Sequence, residues 1–146
     1  MSNKKLRNYT TSIPAARSAA QIEEKLWKLG CVEVSKTGQG GTPTSISFVF
    51  QHQSESYEFK IRVQHEGVLN RLSGMKLPKS KQTRARALDI AWRTTGELLD
   101  IQIDAIMNQT ASPMETWATY LVGPSGETIQ DRIQAGVLPD VKLLLP

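Results

Sequence analysis

A chain of 146 residues, 39% hydrophobic and 22% charged, is long enough to bury one core unaided and too ordinary in composition for a disordered or fibrous protein. The single cysteine, Cys31, excludes an internal disulfide, and no apolar run approaches the roughly 18 residues that cross a bilayer. The net charge of +4 is polarised: nine basic residues from Lys60 to Arg93 face only Glu66 and Asp89, whereas seven acidic residues after Thr94 face only Arg132 and Lys142.

The N-terminus carries Lys4, Lys5 and Arg7 but leads into Asn8-Tyr9-Thr10-Thr11-Ser12 and not into an apolar signal core, so a cytoplasmic location is expected. Asn8 to Ile13, rich in Tyr and Thr, reads as a short strand stopped by Pro14. Ser18-Ala19-Ala20-Gln21 is a capping-box pattern, and Ala19, Ile22, Leu26 and Leu29 follow at helical spacing up to a Gly30 stop.

Three strands come next. Cys31 to Lys36 is the first, Gly38 to Gly41 the turn, and Ser45 to Phe50 the second, with Ile46, Phe48 and Phe50 on one face. Tyr57, Phe59, Ile61 and Val63 alternate with Glu58, Lys60 and Arg62 in the third, which predicts an antiparallel meander with one wet face. His65 to Lys81, with Gly67, Gly74, Pro78 and scattered lysines, reads as a long exposed loop in which Val68, Leu69 and Leu72 suffice for one helical turn.

The strongest element is a helix from about Gln82 to Asn108, with an apolar stripe through Leu88, Trp92, Leu99, Ile103 and Ile106. Gly96 inside it suggests a close helix crossing. Ser112-Pro113-Met114-Glu115 opens a short helix, and Glu127 to Ala135 forms a last one. An apolar tail, Val137 to Pro146, then needs cover from its own domain or from another subunit. The expected architecture is a single α+β domain. An antiparallel sheet of three to four strands (8–64) is packed by the N-terminal and long helices, followed by a basic loop (65–81) and a helical part (82–146) that ends in short helices.

Local chemistry is sparse. Glu97, Asp100 and Asp104 share a helix face but lack an accompanying histidine, and His52 and His65 have no ligand partners at zinc spacing. Gly38, Gly40 and Gly41 lack the Gly-Lys-Ser/Thr ending and the following helix of a phosphate loop. No metal, cofactor or catalytic residue is therefore expected, and binding is favoured over catalysis. Cys31 reads as a small buried thiol.

One constellation stands out. Arg62, Arg71, Lys76, Lys79, Lys81, Arg84 and Arg86 lead into the long helix, whose positive N-terminal end disfavours cations unless an anion arrives from outside. Contact with phosphate, without discrimination between bases, would relieve that conflict. The order helix, three strands, helix, with lysines before the second helix, is similar to that of double-stranded-RNA-binding domains.

Most of the chain also resembles a family of small bacteriophage and prophage proteins. The likeness is carried by Asn8-Tyr9-Thr10-Thr11, the helix from Ser18 to Gly30, Ala91-Trp92-Arg93, Met114-Glu115 with Tyr120-Leu121-Val122, and Gly126-Glu127-Thr128-Ile129. It implies mobile-element origin and an accessory role and carries no activity with it. The chain departs from the family's Leu-Pro pair after the third strand, where Arg62-Val63-Gln64 stands. Three partners follow as expectations: a nucleic acid or phosphate-bearing nucleotide, a host protein blocked as counter-defence, and a further copy of the chain whose acidic third meets the basic segment.

Overall fold

The computed structural model of the protein describes residues 5–136. Alternation and paired glycines build its sheet. Strands β1 (Glu33–Gln39), β2 (Thr42–His52) and β3 (Glu55–Arg62) lie antiparallel in that order. Gly40 and Gly41 both take positive φ, 59° and 81°, which a two-residue hairpin turn needs to match strand twist. Where the register shifts beside Thr37, a Cβ on Gly38 would stand 1.9 Å from the Thr42 carbonyl oxygen, so no other residue fits. The pairing sets Val34, Phe48 and Phe59 in one row and Ile46 beside Ile61 on the inner face; Ser35, Ser47 and Lys60 form a row on the wet face.

Two helices, α1 (Ala15–Leu29) and α3 (Arg84–Met107), cover the inner face. They run parallel, because contacts advance together along both. Asp89 accepts from the Ala15 amide at 2.8 Å, Ile22 packs at Gly96, and Lys25 reaches Asp100 at 2.6 Å. A Cβ on Gly96 would lie 3.4 Å from Ile22 Cδ1, so the glycine does mark the helix crossing. Trp92, fully buried, donates its indole N–H to the Pro43 carbonyl at 2.7 Å and ties α3 to the hairpin.

After α3, helix α4 (Pro113–Trp117) starts at a Ser112 cap and delivers Trp117 into the core. That ring, also fully buried, lies 4.9 Å from Phe48 and 6.0 Å from both Phe50 and Phe59, and its N–H bonds Gln102 at 3.0 Å. Burying each such aromatic contributes about 2–3 kcal/mol. Leu121 then bridges Phe59 on β3, and α5 (Ile129–Gln134) follows a full capping box of Thr128 and Asp131.

Four expectations change. Asn8 to Ile13 is not a strand: Asn8 takes positive φ, and the segment is held across α3 by Arg86, which donates to the carbonyls of Tyr9 and Thr11. Helix α1 begins at Ala15, three residues before the supposed Ser18 cap, because Asp89 supplies the acceptor; Ser18 lies buried inside the helix. Residues 65–81 are not one loop but contain helix α2 (Glu66–Ser73) and a 3-10 turn (Lys79–Lys81). The reason is a second, smaller core in which Leu72 packs with Leu6, Ala87 and Ile90. Finally, the last helix is shorter than Glu127 to Ala135, since Thr128 caps it from outside. The apolar tail from Val137 lies outside the described residues. No helix among the described residues is long and apolar enough to cross a membrane.

Candidate functional site

Because α1 and α3 run parallel, both begin at the same end of the molecule. Each helix start carries the positive end of its macrodipole, roughly half a unit charge, met at α1 by the Asp89 carboxylate on the Ala15 amide and at α3 only by the neutral Thr83 hydroxyl. Neither has an acidic residue in its first turn. The β1–β2 hairpin turns at this end too, leaving a cleft of about 260 Å³ between Ala16 and the residues around Gly38 and Pro43.

The connection from α2 to α3 crosses this end in a fixed shape. Met75 and Leu77 fold under into the smaller core. Gln82 clamps the segment by donating to the carbonyls of Met75 at 3.3 Å and Leu77 at 2.8 Å. Pro78 opens the 3-10 turn, and the Thr83 hydroxyl caps α3 by accepting from the Arg86 amide at 3.2 Å. With its apolar residues tucked inward, the segment turns Lys76, Lys79, Lys81 and Arg84 outward. All four are exposed, and none makes an ion pair or side-chain hydrogen bond among the described residues.

The remaining three of the seven sequence candidates part from this group. Arg86 adjoins it but is occupied with the Tyr9 and Thr11 carbonyls, so it fixes the N-terminal segment instead of facing a ligand. Arg62 stands on the wet face of the sheet and pairs with Asp131 at the start of α5. Arg71 is exposed on α2 and does not count among the unpaired cations.

The acidic third is partly neutralised within the fold. Besides Asp131 with Arg62, Glu97 pairs with Arg7 at 2.6 Å and with Arg93 at 3.6 Å, and Asp100 with Lys25. These bonds lie away from the α2–α3 connection, whose charge they leave uncompensated. Asp131 has its carboxyl held below the usual range, first by the Thr128 backbone amide and then by Arg62.

Sequence reasoning missed two cations here. Lys5 is exposed next to Leu6, which is buried in the smaller core, and Arg17 is exposed in the first turn of α1. Neither makes an ion pair among the described residues. Only the parallel packing of the helices brings Arg17 to this end, and no local pattern signals it.

Other reactive groups are differently placed. Burial pushes the Cys31 thiol up to about 12, which keeps it a thiol. Among the described residues, no three His, Cys, Asp or Glu side chains are grouped to hold a metal ion. What this end can do chemically is hold an anion by fixed charge and N–H donors. Comparison of the chain with family models, curated proteins and solved structures gave no match.

Proposed function

We propose that the protein is an accessory factor of phage type that binds the phosphate backbone of a nucleic acid at the end where α1 and α3 begin. One observation carries this reading: four exposed, unpaired cations, Lys76, Lys79, Lys81 and Arg84, sit on a connection whose shape is fixed by Gln82 and the smaller core. Fixing the segment before binding lowers the ordering entropy that a flexible basic loop would lose on contact. The start of α3, capped by the neutral Thr83 hydroxyl, adds positive potential of the same sign. A polyanion with regularly spaced phosphates suits several long donors along one segment better than a lone small anion does. Contacts of this kind position a duplex and carry no base discrimination.

The test is binding to duplex DNA and duplex RNA across a salt series. Each phosphate contacted on DNA adds about 0.9 to the slope of log affinity against log salt, so the four cations together give a slope of about 3.6. Replacing all four with Gln is expected to remove most of that slope while leaving the fold intact. An affinity indifferent to salt, or a slope unchanged in the fourfold variant, would reject the reading.

A further inference from the structure

The wet face of the sheet carries a polar patch that takes no part in the binding proposed at the α2–α3 connection. The register sets Lys60 beside Ser47 and Ser35 in one row, and Arg62 beside Ser45 and Thr37 in the next. Two cations and four hydroxyls therefore stand together, about 4.8 Å apart between strands and about 7 Å apart along them, with no carboxylate in either row. The Thr37 and Ser45 hydroxyls are hydrogen-bonded to each other. Arg62 is held by Asp131. Lys60 is different: it is half-buried, and its ammonium makes no ion pair or side-chain hydrogen bond among the described residues. A charge partly withdrawn from water without a partner calls for an anion.

Two clefts of about 250 and 160 Å³ adjoin this patch and share Lys60, Arg62 and Gln64 as their common wall. Each alone is smaller than the roughly 300 Å³ at which small-molecule sites begin, but a ligand lying across the shared wall occupies both. Their linings differ in chemistry. The larger holds the Thr37 and Ser45 hydroxyls and His65, whose Nε2 is buried without a hydrogen-bond partner among the described residues and so leaves a polar atom for a ligand to meet. The smaller is lined by Tyr120 and by the amides of Gln130 and Gln134. An aromatic ring with amides that both donate and accept is the equipment that stacks on and hydrogen-bonds a nucleobase. We infer that this face binds a nucleotide, its phosphate against Lys60 and the hydroxyls and its base beside Tyr120 and Gln130. Two carboxylates also line the clefts, and each has a positive partner of its own. Asp131 is engaged by Arg62 and by the Thr128 amide, and Glu66 lies in the first turn of α2, where the helix dipole favours it. The site uses none of Lys76, Lys79, Lys81 and Arg84, so it stands apart from the cationic connection.

Isothermal titration calorimetry tests it with the monophosphates of adenosine, guanosine, cytidine and uridine and with inorganic phosphate, circular dichroism confirming that each variant is folded. At least one nucleotide is expected to bind, and more tightly than inorganic phosphate. Lys60→Gln is expected to weaken that binding about tenfold or more, as the loss of a charge-assisted hydrogen bond does. Gln130→Ala and Tyr120→Leu should weaken the nucleotide and leave inorganic phosphate unaffected. The variant with Gln at all four cations of the α2–α3 connection should bind the nucleotide as the wild type does, which separates this site from the nucleic-acid contact. Four results would each overturn the inference: no nucleotide bound at millimolar concentration, an affinity indifferent to Lys60→Gln or to both Gln130→Ala and Tyr120→Leu, inorganic phosphate bound as tightly as every nucleotide, or binding lost in the fourfold variant.

Discussion

Helix α3 takes part in two hydrophobic clusters that differ in what surrounds them. Around Trp92, Leu99 and Ile103 it meets α1, the sheet and Trp117, and the aromatic rings there interlock at 5 to 6 Å from element to element. Around Ala87 and Ile90 it meets α2, the α2–α3 connection and the N-terminal segment, through Leu72, Met75, Leu77 and Leu6. The first cluster ties together elements far apart in sequence and so carries the fold. The second is small, lies next to the unpaired cations, and sets the path of the segment that bears them. Stability and the proposed binding therefore rest on largely different side chains, with Val68 of α2 packed against both clusters.

That separation can be broken most sharply at Trp117. Trp117→Ala removes a ring packed on three phenylalanines and leaves the Gln102 acceptor without its donor, so a loss of about 3–5 kcal/mol is expected in denaturant titration. Exchange protection of the α2–α3 connection, relative to global stability, should not change. Leu72→Ala is the reciprocal test. It should lower stability by about 2–3 kcal/mol, less than Trp117→Ala, and hydrogen exchange should report preferential opening of residues 74–83. Uniform loss of protection across the chain would show that the two clusters form one cooperative unit.

Gly96→Ala probes the larger cluster in the opposite direction. A helical alanine is favoured by about 1 kcal/mol, and the added Cβ meets only the flexible tip of Ile22 at 3.4 Å, so a gain approaching that value is expected in thermal or denaturant unfolding. A destabilised variant would mean that Ile22 cannot yield. The smallest effect is expected at α5. Asp131 has a depressed carboxyl pKa in the fold, so its contribution is present above the unfolded value of about 3.9 and is lost as pH falls through the lower, folded value. Asp131→Asn should cost about 0.5 kcal/mol at neutral pH, and the gap from wild type should close on acidification. A gap that does not depend on pH would assign the effect to packing.

What could be read from the sequence was local. Strand alternation from Ser45 to Phe50 and from Tyr57 to Arg62, the Gly30 stop and the Ser112 cap each depend on neighbouring residues and take their expected form, whereas the hairpin turn is tighter than Gly38 to Gly41, since Gly38 pairs within β1 and only Gly40 and Gly41 turn. Lys76, Lys79, Lys81 and Arg84 were legible as a group for the same reason, being nearly contiguous. What failed depended on distant partners. Arg86 finds its carbonyls 75 and 77 residues away, Arg62 its carboxylate 69 away, and the true start of α1 its acceptor 74 away. The strand propensity of Tyr9 to Thr11 was overridden by the same Arg86 contacts. Helix α2 is obscured by Gly67 in its first turn and Gly74 at its end, and the packing of Leu72 with Leu6, Ala87 and Ile90 explains why it forms.

The common direction of α1 and α3 gives the chain an electrical orientation. Their starts and the free lysines lie at one end, while Asp100 and Asp104 lie toward the other. In the proposed binding, a particle so polarised would turn in the field of an approaching polyanion before touching it, and encounters would be productive more often than random collision allows. Added salt should then act chiefly by slowing association, and dissociation should respond less.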